Sequence, residues 1–119
     1  LLITDIDRGG SFASIVGTMS LLDKRYQKLI KGFVINKFRG DINILKPGFK
    51  KIKEITKRSV LGVIPMIDID LPEEDSLSGK AKNITWNKKN LDKIESEIDK
   101  ISKLVNSNLN ITEIERMIS

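Results

Sequence analysis

The chain contains no cysteine and no histidine in its 119 residues. Their absence removes disulfides, thiolate metal sites, cysteine nucleophiles and histidine general bases from anything it does by itself. A metal here would be a hard cation held by carboxylate oxygens. Aromatic residues supply only 5% of the sequence, so the core must rest on Ile, Leu and Val, within an apolar content of 39%. No apolar run approaches the roughly 18 residues that span a bilayer. No signal peptide is visible either, so the expectation is a cytoplasmic protein without a membrane partner. The G-x-x-x-x-G-K-[ST] phosphate loop is also missing, so these residues alone are not a complete P-loop enzyme.

Charge is present in both signs. There are 21 basic and 16 acidic residues, for a net charge of +5. The lysines are spread along the chain and interleaved with acids, the pattern of solvated helical surface. No nucleic-acid partner is expected from it.

Three short apolar runs, over 1–6, 32–36 and 60–64, read as strands. Each is nearly continuous rather than alternating, as in parallel strands covered on both faces. Helical patterns lie between them, over 11–22 and about 47–58. Phe12, Ile15, Val16 and Met19 share one stripe, and Leu45, Phe49, Ile52 and Ile55 another. Residues 24–31 extend the first helix or form a second short one. This order predicts two right-handed βαβ units and a parallel α/β sheet that is thin for a doubly wound domain. Residues 79–90 read as a linker and 91–119 as a helical tail. Leu91, Ile94, Ile98, Ile101, Leu104 and Val105 make that tail amphipathic. Asn110 and Glu113 have the spacing of an N-terminal capping pair ahead of Ile111, Ile114 and Ile118.

Each strand ends in a polar cluster, and parallel strands place all three at one sheet edge, where α/β proteins bind ligands. The first is DIDRGGSFAS at 5–14, the second NKFRGD at 36–41, the third Pro65 followed by acids from Asp68 to Asp75. Gly9 and Gly10 let the backbone approach a ligand, and the helix after them offers free N–H groups to a carboxylate or phosphate. Arg8 suits a bidentate pair with such a group. Asn36 offers a nucleobase edge a donor and an acceptor at once. Asp5 or Asp7 is placed to help hold Mg²⁺, while Asp41 reads as a simple loop anchor.

The run DIDRGGSFAS, then GFVINKFRGD, then LGVIP and LPEEDSL closely resembles the cobyric acid synthases. The resemblance covers residues 1–77 and implies the C-terminal half of an ATPase domain with a P-loop, dethiobiotin-synthetase-like fold, ending near residue 78. It implies an ATP-dependent glutamine amidotransferase that amidates peripheral carboxylates of adenosylcobyrinic acid a,c-diamide through acyl phosphates. ATP and Mg²⁺ would be the cofactors of the whole enzyme, with none expected for this chain alone. Its partners would be the corrinoid, glutamine-derived ammonia and the remaining domains. By the same resemblance Asp7, Arg8, Gly9, Gly10 and Ser11 would face the carboxylate substrate, and Asn36, Lys37 and Pro65 the nucleotide. Asp5 would be the metal ligand, and Arg39 and Asp41 receive no role. The tail resembles the helical end of family members, which follows their glutaminase domain. That domain, with its Cys and His, would then be absent between about residues 80 and 88, and the chain inactive alone. The alternatives are a relative of cobyrinic acid a,c-diamide synthase or dethiobiotin synthetase, or a non-catalytic interaction module. The last would pair its open sheet edge with a partner or a second copy.

Overall fold

A computed structural model describes residues 1–71 and 88–119. The acidic turn from Glu73 to Asp75, most of LPEEDSL and most of the expected linker lie outside the described residues. Strand β1 (Leu2–Asp5) leads through a 3₁₀ turn (Ile6–Arg8) into helix α1 (Ser11–Leu21). A separate short helix α2 (Lys24–Gln27) precedes strand β2 (Phe33–Phe38). A second 3₁₀ turn (Ile42–Leu45) opens helix α3 (Lys46–Thr56), with Pro47 in its first turn, where a missing N–H costs nothing. Strand β3 (Val60–Pro65) completes a parallel sheet in the order β1-β2-β3. Helices α4 (Lys88–Asn108) and α5 (Ile111–Ile118) follow.

The core lies between the sheet and the α1–α3 layer. Ile15 and Met19 of α1, Leu45 and Ile52 at α3, and Phe33, Ile35 and Val63 of the sheet form one buried cluster. The two helices approach closely because residue 48 is glycine: a Cβ there would lie 2.1 Å from Cε2 of Phe12. Phe12 also meets Phe49 edge to face, with centroids 6.0 Å apart. Burial of such apolar groups is the main favourable term in folding.

The tail is joined to the sheet. Leu109 forms an antiparallel bridge with Gly62, and the Asn110 N–H donates to the Leu61 carbonyl at 2.8 Å. The outer edge of β3 is thereby capped, while that of β1 is open among the described residues and carries the exposed Ile3. Glu97 of α4 is only 6% exposed; it accepts from Lys100 and from the Asp70 N–H at 3.3 Å. Asp70 also accepts from Lys93, so the stretch after β3 is clasped to α4 by charge. The Asn110 side chain accepts from the Glu113 N–H at 3.1 Å and caps α5.

Several expectations need correcting. Strand β2 runs two residues past Asn36, and α4 begins at Lys88 rather than 91. Lys88, Lys89 and Asn90 hold nothing that breaks a helix, and lysine favours one. Ile55, Leu91, Ile98 and Ile118 are exposed rather than packed. On α3, Ile55 lies about 60° round the helix from the buried Ile52. On α4 the inward line runs through Ile94, Glu97, Ile101 and Leu104, which turns Ile98 outward. Ile118 ends α5, whose residues are at most half-buried.

Gly62 decides whether the tail can dock, since a Cβ there would lie 2.3 Å from the backbone oxygen of Asn108. Gly62→Ala is expected to release the tail and leave the sheet folded. Hydrogen exchange at the Asn110 amide should rise by at least about tenfold, the effect of losing about 1.4 kcal/mol of local stability. Unchanged protection would contradict this docking.

Candidate functional site

The three strands run parallel, so their C-terminal ends bring Asp5, the Asn36-Lys37-Phe38 segment and Pro65 to one edge of the sheet. Asp5 is the register partner of Asn36, and Phe38 of Pro65. The Met66 N–H closes this corner by donating to the Phe38 carbonyl at 2.9 Å.

The centre of the edge is the half-buried carboxylate of Asp5. Asn36 Nδ2 donates to its Oδ1 at 3.1 Å, and Lys37 Nζ donates to its Oδ2 at 2.6 Å. Consecutive strand residues point to opposite faces, so a regular strand does not aim both of these side chains at one group. The backbone provides the exception. Between the pairs Ile35↔Val63 and Phe38↔Pro65, β2 holds two residues and β3 one. This is a β-bulge, and Lys37 within it adopts φ 61°, the left-handed region. The Lys37 ammonium, foremost, then the Asn36 amide and the Arg8 charge hold the Asp5 carboxyl below its ordinary range, against the desolvation that raises it.

The glycine turn stands beside this cluster. Gly9 has φ 70° and Gly10 φ 64°, both left-handed, and Gly10 is the N-cap of α1. Nothing lies within 4 Å of a Cβ placed at either glycine, so their identity is required by backbone conformation and not by crowding. Asp7, Arg8, Gly9 and Gly10 are exposed at this turn, whereas Ser11, the first residue of α1, is buried. Four of the five residues expected at a substrate therefore form an open loop, and Ser11 is buried at the start of the helix.

Asp5 does not fit the expected metal role. Both of its oxygens are occupied by donors from Asn36 and Lys37, and no group of three acidic residues able to hold a metal occurs among the described residues. Asp41 is the loop anchor its position suggests: Oδ1 accepts from the Asn43 N–H at 2.9 Å and from Asn43 Nδ2 at 2.7 Å. Arg39 is exposed at the same loop. A separate cavity of about 400 Å³, lined by Lys31, Lys57, Arg58, Asn110 and Glu113, lies by the first residues of β3, at the other end of the sheet from this edge.

Sequence reasoning placed Asp5, Asn36 and Lys37 at one edge but missed that they bind one another. The available signal was that Asp5 and Asn36 each close an apolar run entering the same parallel edge. The bulge left no such signal.

Residues 4–78 match the CobQ/CobB/MinD/ParA nucleotide binding domain. The chain belongs to this family. It is 51% identical over 107 residues to a probable cobyric acid synthase of Methanococcus vannielii, a match covering 89% of this chain and 21% of that protein. It is 58% identical over 82 residues to a probable cobyric acid synthase of Thermococcus onnurineus, covering 69% of this chain and 17% of the relative. With a cobyric acid synthase of Caldanaerobacter subterraneus it shares 55% identity over 80 residues, covering 67% and 16%. The chain thus spans about a fifth of the length of the curated relatives it matches. A match covering 89% of the chain also reaches beyond residue 78 into α4. No solved structure matches the chain. Among the described residues no helix is long and apolar enough to cross a membrane.

Two outcomes follow from the site. Lys37→Gly and Lys37→Ala both lose the ion pair, but only alanine retains a side chain in the left-handed region. Lys37→Ala should be less stable than Lys37→Gly by about 1 kcal/mol in urea unfolding. Equal stability would contradict the φ at residue 37. The second outcome concerns pH. The folded pKa of Asp5 is depressed, so its stabilising contribution is present above the ordinary carboxylate range and is lost as pH falls through the depressed value. The stability gap between the wild type and Asp5→Asn should be open at pH 7 and close at acid pH. A gap that widens on acidification would have the wrong sign.

Proposed function

We propose that this chain carries the base-binding and carboxylate-binding portion of an ATP-dependent glutamine amidotransferase of cobalamin biosynthesis. The enzyme would amidate peripheral carboxylates of adenosylcobyrinic acid a,c-diamide. The observation that carries this reading is the joint presence, at one sheet edge, of a left-handed Gly9-Gly10 turn opening a helix and the Asp5–Asn36–Lys37 cluster. Its support from outside the chain is the likeness to proteins named cobyric acid synthase.

In this reading the exposed loop of Asp7, Arg8, Gly9 and Gly10 takes a substrate carboxylate. The α1 N-terminus brings partial positive charge and free N–H groups, and Arg8 brings a full charge and a planar fork. Asn36 faces the nucleotide base, with Lys37 beside it and Pro65 closing the corner. Glutamine supplies the ammonia and ATP the activation of the carboxylate. The sequence holds no phosphate loop, no cysteine and no histidine, so the phosphate grip and the glutaminase chemistry belong to other parts of the enzyme. The Mg²⁺ that accompanies ATP does not fit Asp5, whose two oxygens already accept from Asn36 and Lys37. The open edge of β1, with Ile3 exposed at 60%, is the natural place for the rest of the sheet to pair.

The purified chain is expected to show no ATP hydrolysis above background, and measurable turnover would contradict its reading as a partial site. In a full-length enzyme carrying this segment, Asn36→Ala should weaken ATP binding by about tenfold and leave corrinoid binding within about twofold. Arg8→Ala and Gly10→Val should do the reverse. Equal losses for both ligands would argue for a structural role.

A further inference from the structure

Asn36 is placed at the base by the reading above, but its side chain is not free to face that base in either sense. An amide has an acceptor end and a donor end, and which end faces outward is normally a matter of rotation. Here the partner on the inner side is the Asp5 carboxylate, which when ionised only accepts. The Asn36 NH₂ must therefore point at Asp5. One of its two hydrogens is used there, and the other is left over. Among the described residues the Asn36 oxygen accepts no hydrogen bond, so both of its lone pairs remain available. The Lys37 ammonium occupies the second oxygen of the same carboxylate and keeps it from swinging away.

We infer that Asp5 is a positioning residue for base selection: it fixes the Asn36 amide with its oxygen outward, so that the site takes a purine with an amino group at position 6. The inference rests on the reading of Asn36 as the base contact and extends it to specificity. The remaining Nδ2 hydrogen matches the acceptor N7 of adenine, and the outward Oδ1 matches its 6-amino donor. A 6-oxo purine puts a carbonyl opposite the Asn36 oxygen, two acceptors without a proton between them. Each well-formed bidentate contact of an amide with a purine discriminates by about tenfold or more. Asp5 does this without touching the base, and its function is orientation rather than metal binding.

The test uses the 119-residue chain labelled with ¹⁵N and titrated with millimolar adenosine or inosine, which differ in the 6-substituent and lack phosphates. The readout is the Asn36 side-chain NH₂ signal and the dissociation constant fitted to it. Adenosine is expected to bind at least about tenfold more tightly than inosine. In Asp5→Asn the new amide can present either end to Asn36, and the preference should fall below about threefold. A wild-type preference for inosine, or none, would overturn the inference and leave the base reading standing. So would a folded Asp5→Asn chain that keeps the full preference. Failure of both nucleosides to bind the wild type would remove the base reading itself, and the inference with it. The wild-type comparison is decisive even if Asp5→Asn does not fold.

Discussion

A carboxylate half-buried at the end of a strand is stabilised by donors, and at Asp5 it finds two from a single neighbouring strand. That requirement shapes the rest of the edge. Asn36 and Lys37 can serve the same group only if β2 abandons its regular alternation, and the bulge with its left-handed Lys37 is how it does so. A non-glycine residue in that region costs on the order of 1 to 2 kcal/mol. The cost is tolerable because an ammonium and an amide both meet the charge. An uncompensated carboxylate at this position would be worse. Strain of this kind gathers where a structure holds side chains in place, and here it turns two consecutive polar residues towards one carboxylate.

The neighbouring loop solves a different problem with glycine. Asp7 to Gly10 must leave the edge strand and enter a helix that packs on the core within a few residues, and two left-handed glycines make the corner. The result is an exposed loop and a helix N-terminus beside an edge where Lys37 pairs with Asp5. Both features sit on a scaffold held by packing and by strand pairing. The Phe12–Gly48 contact locks α1 against α3, and the Leu109–Gly62 bridge closes the far side of the sheet.

Much of this was legible in the sequence. Continuous apolar runs marked the three strands, and their separation by helical stripes gave a parallel sheet. Parallel strands in turn put DIDRGG, NKFRGD and Pro65 at one edge. The motif wording pointed to the family that residues 4–78 then matched. What was not legible depended on tertiary contacts. The bulge at Asn36-Lys37 arises from pairing with β3 and from the Asp5 charge, neither of which is local to β2. The inward rotation of Glu97 in place of Ile98 depends on Asp70 and Lys100, which no periodicity reveals. The donors that occupy both Asp5 oxygens were not legible for the same reason: they approach from a strand more than thirty residues away.

The organisation of this edge depends on the Asp5 carboxylate being ionised and shared between Asn36 and Lys37. The most direct measurement is a ¹³C NMR titration of the Asp5 side-chain carboxyl in the intact chain. A pKa clearly below the ordinary aspartate value of about 3.9 is the predicted result. A pKa at or above that value would mean that the two donors do not hold the charge, and the organisation of this edge would need another explanation.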